Sequence, residues 1–73
     1  MSALPVVSGS ACVRALAGFG FQKVRQRGSH VVLVRREPFA MVVVPDHKVL
    51  DRGTLRGILR QAGVSVEEFV RAL

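Results

Sequence analysis

The spacing of apolar residues changes period near Gly20 and again after Pro45, and these two switches constrain the fold more than any other feature of the chain. Before Gly20, the residues Cys12, Val13, Leu16 and Ala17 recur at helical spacing on one face, with Arg14 opposite. Ser8 is a good N-cap, so a first helix is expected over about residues 9–18. Gly18 and Gly20 end it, one of them supplying the left-handed C-terminal residue. Between the switches the period is 2. In Phe21–Arg27, the residues Lys23, Arg25 and Arg27 share one strand face, and Gln22, Val24 and Gln26 the other. Val31–Val34 and Met41–Val44 are apolar and rich in valine, as strands are. Gly28-Ser29 suits a two-residue type II′ hairpin turn, while Glu37-Pro38-Phe39-Ala40 separates the second and third runs, with Pro38 breaking the ladder.

After Pro45, Leu55, Ile58, Leu59 and Ala62 return to helical spacing and Gly63 terminates the segment. Ser65 and Glu68 form a capping box for a last short helix carrying Val66, Phe69, Val70 and Leu73. The expected class is α+β: an α-β-β-β-α order, a three-stranded antiparallel meander with helices on one face, and a short C-terminal helix. With no repeat, low-complexity tract or linker, residues 1–73 read as one domain.

Composition narrows the partners. Eleven Lys and Arg against five Asp and Glu give a net charge of +6, which favours a polyanion, nucleic acid before membrane. A hydrophobic content of 49% excludes a disordered basic tail. The longest apolar runs, Val31–Val34 and Phe39–Pro45, fall far short of the roughly 20 residues that span a bilayer. No apolar stretch follows a basic start, so no signal peptide is expected. The single Cys12 cannot form an internal disulfide, in keeping with a reducing cytoplasm.

The hairpin arithmetic singles out His30. A two-residue loop pairs Arg27 with His30, Arg25 with Val32 and Lys23 with Val34, so the imidazole emerges on the same face as the three cations. Same-face neighbours stand about 6.5–7 Å apart, close to the phosphate spacing of an extended single strand. RNA cleavage by its own 2′-hydroxyl needs a group to take that proton, a group to protonate the leaving oxygen, and positive charge at the phosphorane. An imidazole suits either proton transfer, and lysine or arginine the charge. The plain alternative is a surface histidine beside a turn and a merely solvated basic stripe.

Other candidates are weighed in the same way. His47 is either a second acid–base group or a residue that caps or orients the segment entering the second helix. Lys48 and Arg52 add cations near that helix start, where free backbone N–H groups attract phosphate. Arg52, Arg56 and Arg60 recur every four residues, so that helix carries a repelling stripe suited to RNA or an acidic partner, or simply to solvent. No metal site and no cofactor are expected, because the two histidines have no third ligand at metal-site spacing and Cys12 lies on an apolar face. That setting also makes Cys12 a poor nucleophile. Both sheet faces carry apolar residues, Val32, Val34, Met41 and Val43 with His30, and Val31, Leu33, Val42 and Val44 opposite. Helices on one face leave the other apolar and open to a protein partner.

Several strings together resemble a known family: Leu4-Pro5-x-x-Ser8-Gly9, Gly20-Phe21, Arg25-Gln26-x-Gly28-Ser29-His30, Val44-Pro45-x-His47-Lys48, and Gly53-Thr54-Leu55-x-x-Ile58-Leu59-Arg60-Gln61-Ala62-Gly63. In order and spacing, from Leu4 to Phe69, the chain is similar to the HicA (YcfA-like) toxins. The resemblance implies a fold like the double-stranded-RNA-binding domain and an mRNA interferase that cleaves without metal, His30 being its catalytic residue. Gly28 and Ser29 match the turn that carries it, and His47 the family's second histidine motif. It further implies a HicB-like antitoxin that covers the site. On the nuclease reading, the basic stripe of Lys23, Arg25 and Arg27, with Lys48 and Arg52 near the second helix, is expected to hold the RNA backbone. The stretch Glu37–Met41 is poorer in polar residues than a typical member. A non-catalytic RNA-binding module is the rival reading.

Overall fold

The computed structural model describes residues 3–73; the first two residues of the domain expected over 1–73 lie outside the described residues. The order is α1 (Gly9–Ala17), β1 (Gln22–Arg27), β2 (His30–Arg36), β3 (Phe39–Pro45), α2 (Arg52–Ala62) and α3 (Val66–Ala72). The strands form one antiparallel sheet in the order β1-β2-β3. This is the α+β arrangement that the periodicity predicts.

Each element starts and stops for a local reason. Ser8 caps α1, its hydroxyl accepting from the Ala11 N–H, and Gly20 leaves the helix at φ +92. Asp51, rather than His47, caps α2 by accepting from the Thr54 N–H. Gly63 closes α2 in the left-handed conformation at φ +72. The Ser65–Glu68 capping box opens α3, with both reciprocal bonds at 3.0 Å.

The core lies between the helices and one sheet face. Val31, Leu33, Ala40, Val42 and Val44 point inward to meet Cys12, Leu16, Leu55, Ile58, Leu59 and Ala62. α1 and α2 pack on β3, and α3 packs against both helices through the fully buried Phe69. Leu4 and Val7 complete the cluster from the segment preceding α1.

The second hairpin is tighter than expected. Pro38 does not break the ladder over four residues; pairing continues to Arg36 and Phe39, leaving only Glu37-Pro38, joined by a cis peptide bond, as the turn. The ladder can continue because Pro38 sits in the turn itself, where no ladder N–H is required. Arg35 braces it, donating from Nε to the Pro38 carbonyl at 2.9 Å, with its guanidinium carbon 4.8 Å from the centroid of the Phe21 ring.

At the other end of the sheet the two layers touch backbone to backbone. The Gly9 N–H donates to the His47 carbonyl at 2.8 Å, and the Leu50 N–H to Val7 at 2.8 Å. A Cβ on Gly9 would collide with the Pro45 carbonyl oxygen and stand 2.9 Å from the Asp46 Cα. Gly57, in the middle of α2, has open space where a Cβ would go. Two alanine substitutions should therefore have opposite signs in urea unfolding. Gly57→Ala should raise stability by about 0.5–1 kcal/mol, the helix-interior cost of glycine. Gly9→Ala should lower it by about 1–3 kcal/mol or more, as overpacking does.

Candidate active site

The candidate site is built on the β1–β2 turn. Gly28 takes φ +57 and Ser29 keeps a negative φ, as a type II′ turn requires. The loop is two residues long, so Arg27 pairs with His30 and Arg25 with Val32. His30 is thus exposed on the sheet face away from the helices, beside the exposed Arg27 and one step from Arg25. Directly opposed side chains have Cβ atoms about 4.5–5.5 Å apart, so an Arg27 guanidinium and the His30 imidazole can reach the same phosphate.

Lys23 does not join them. It pairs with Leu33 instead of Val34, because the register shifts between Lys23 and Arg25. The bulge at Val24 sends Lys23 to the helix side, where its Nζ donates to the Gln26 Oε1 at 3.1 Å. The cause is the exposure of β1. Every residue of this edge strand is exposed, so no buried face pins its register upstream of Arg25.

The turn is braced from two directions. Gln26 Nε2 donates to the Gly28 carbonyl at 3.0 Å, and the Asp46 N–H donates to the Ser29 carbonyl at 2.6 Å. His30 pairs with Pro45, so His47 leaves the sheet two residues beyond that pairing, its carbonyl bonded to Gly9. Gly28, Ser29, His30, Arg27, Arg25 and the exposed His47 and Lys48 therefore come from the turn end of the sheet and the segment leaving it. Arg52 serves another partner: its Nε donates to the Leu4 carbonyl at 3.0 Å and holds the N-terminal segment. The start of α2 is already served by the Asp51 carboxylate, which weakens the case for an anion there. Arg56 and Arg60 are exposed on α2.

The face around His30 remains open. Phe39 is 72% exposed, Met41 52% and Val43 43%, an apolar stripe on the side of the sheet that no helix covers. Among the described residues no three His, Cys, Asp or Glu side chains gather as metal ligands would, and no helix is long and apolar enough to cross a membrane.

Residues 9–64 match the family model described as the HicA toxin of bacterial toxin-antitoxin systems. The chain belongs to the HicA toxin family. The matched span runs from the start of α1 to just beyond α2 and so contains the whole sheet and the His30 turn. No curated protein matches the chain.

Membership in the HicA family gives the chain its place as a toxin of such a system, and the geometry adds what sequence reasoning missed. Asp51 as a helix cap had a signal, an aspartate three residues before a backbone N–H that needs an acceptor. Gln26 and Asp46 as braces of the turn had none, since each depends on a contact that only the folded hairpin creates.

Cys12 is fully buried, and burial pushes its thiol up to about 11. The folded chain holds that proton more tightly than the unfolded one. The associated stability is therefore present below the ordinary thiol value of 9.0 and is lost as pH rises through about 11. At pH 8 the native HicA-family chain should leave Cys12 unlabelled by a thiol reagent and react when denaturant is added. Rapid native labelling would contradict that burial.

Proposed function

We propose that the chain is the mRNA interferase of a type II toxin–antitoxin system, a single HicA-like domain that cleaves RNA phosphodiester bonds in the cytoplasm until a HicB-like antitoxin covers the site. The observation that carries this reading is one exposed imidazole, His30, held on a braced turn beside the cross-strand Arg27.

In this mechanism the 2′-hydroxyl of the scissile nucleotide attacks its own phosphorus. His30 makes one of the two proton transfers, taking the proton from the 2′-oxygen or giving one to the departing 5′-oxygen, and solvent water makes the other. The new P–O2′ bond forms as the P–O5′ bond breaks, leaving a 2′,3′-cyclic phosphate and a 5′-hydroxyl. Arg27 and Arg25 stabilise the charge that builds on the phosphorane oxygens. Gly28 allows the turn, Ser29 carries the carbonyl that Asp46 anchors, and His47 sits where it orients the segment leaving the sheet. Lys48 and Lys23 extend the contact along the RNA backbone. Arg52 contributes to it less, because its Nε is engaged by Leu4. Arg56 and Arg60 on α2 offer a further contact for RNA or for an acidic partner surface. The donor groups of the site suit proton transfer, so cleavage should proceed in EDTA.

The uncovered stripe of Phe39, Met41 and Val43 supports a protein partner as well. Its apolar character and the adjacent arginines fit an antitoxin surface that is apolar at its centre and acidic at its rim.

Incubation of the purified chain with a long mRNA in EDTA tests the nuclease. Wild type should cleave, and His30→Ala should lose at least 100-fold in rate while keeping its fold and its RNA binding, the scale of general acid–base catalysis. Binding without cleavage by both proteins would point to a non-catalytic RNA-binding module. Arg25→Ala and Arg27→Ala should weaken binding and each lower the slope of log affinity against log salt by about 1. An unchanged slope would remove these residues from the RNA contact.

A further inference from the structure

The bulge at Val24 has a second effect. By turning Lys23 to the helix side, it places that residue on the lining of a groove between α1 and β1, which Arg14 of α1 also lines. The groove holds about 260 Å³ and has Val13 and Val31 among its lining residues, together with Ser10, Gln26 and Asp46. We propose that this groove holds one nucleotide of the RNA strand flanking the scissile phosphate, with the base against Val13 and Val31 and a phosphate between Arg14 and Lys23. The proposal rests on the nuclease reading above and gives it a subsite on the far side of the hairpin from His30.

Size, chemistry and connection favour this occupant. The volume lies just under the roughly 300 Å³ at which sites for drug-sized molecules begin, a size that suits a single base. Apolar contact to a base face beside cations that follow the backbone is how single strands are held without a duplex. The hydroxyl of Ser10, the amide of Gln26 and the carboxylate of Asp46 supply donors and acceptors for a base edge. Two cations against one carboxylate leave the groove positive, as a phosphodiester requires.

The groove is also wired to the turn. Gln26 accepts from Lys23 at 3.1 Å and donates to the Gly28 carbonyl at 3.0 Å. The Asp46 N–H donates to Ser29 at 2.6 Å. Both residues that precede His30 are thus bonded to residues lining the groove. A single strand that wraps the hairpin end engages the groove on one face and the imidazole on the other, so a nucleotide bound here positions its neighbour for cleavage.

Two variants test the site. Val13→Trp fills the groove. Lys23→Ala removes an exposed cation without touching the core, and serves where the larger side chain disturbs folding. In an NMR titration of the full chain with each of the four ribonucleoside 5′-monophosphates, at least one should shift the amides of Val13, Lys23 and Gln26. Both variants should weaken that binding at least fivefold, and inorganic phosphate alone should not reproduce the shifts. In cleavage assays the same variants should raise KM about tenfold, with a smaller change in kcat and an altered distribution of cut sites along a long mRNA.

The proposal is overturned if no nucleotide shifts the groove amides, if phosphate alone gives the same shifts, or if both variants bind and cut as wild type. In the last case a dead His30→Ala would leave the nuclease reading standing without this subsite. If wild type cleaves no RNA yet nucleotides bind the groove and the variants abolish it, the nuclease reading fails and the nucleotide site stands.

Discussion

The contact between Gly9 and the Pro45–His47 segment is the constraint on which the rest depends. There the start of α1 lies directly on the exit of β3, with no room for a side chain between them and an N–H to carbonyl bond of 2.8 Å across the join. The next residue in the strand exit, Asp46, bonds the hairpin turn, and Leu50 bonds Val7 a few residues later. One short stretch of backbone therefore fixes the helix layer, the third strand and the turn that carries His30. The surface imidazole inherits its position from a buried backbone contact, which is how so small a core can hold a site steady.

The bulge in β1 decides how charge is distributed around that turn. A regular strand would put Lys23, Arg25 and Arg27 in one row beside His30. One extra residue at Val24 leaves two arginines on the open face and moves the lysine to the groove beside α1. The hairpin end is then cationic on both faces, a shape suited to a strand that folds over it. The open face also carries Phe39, Met41 and Val43, so charged and apolar side chains share one uncovered surface.

Much of this was legible in the sequence because it is local. The caps at Ser8 and Ser65, the left-handed Gly63, the two-residue Gly28-Ser29 loop and the pairing of Arg27 with His30 follow from residue types at short separations. The helix and strand faces follow from periodicity, since Val31, Leu33, Val42 and Val44 must bury together. What stayed hidden was either unpinned or distant. The sequence alternation puts Lys23 on the His30 face, because an edge strand exposed throughout carries no apolar alternation to reveal a bulge. The tight Glu37-Pro38 turn is equally hidden, because a proline between two apolar runs suggests a broken ladder, whereas this ladder closes around it. The bond from Arg52 to Leu4 joins residues 48 positions apart, and no local pattern announces it.

The chemistry of the cut ends tests the central claim most directly. If His30 assists attack by the neighbouring 2′-hydroxyl, the upstream fragment carries a 2′,3′-cyclic phosphate and the downstream one a 5′-hydroxyl. A single 2′-deoxy substitution at the scissile nucleotide should then stop cleavage at that site and no other. A 5′-phosphate on the downstream fragment, or undiminished cutting of the deoxy-substituted strand, would contradict the account.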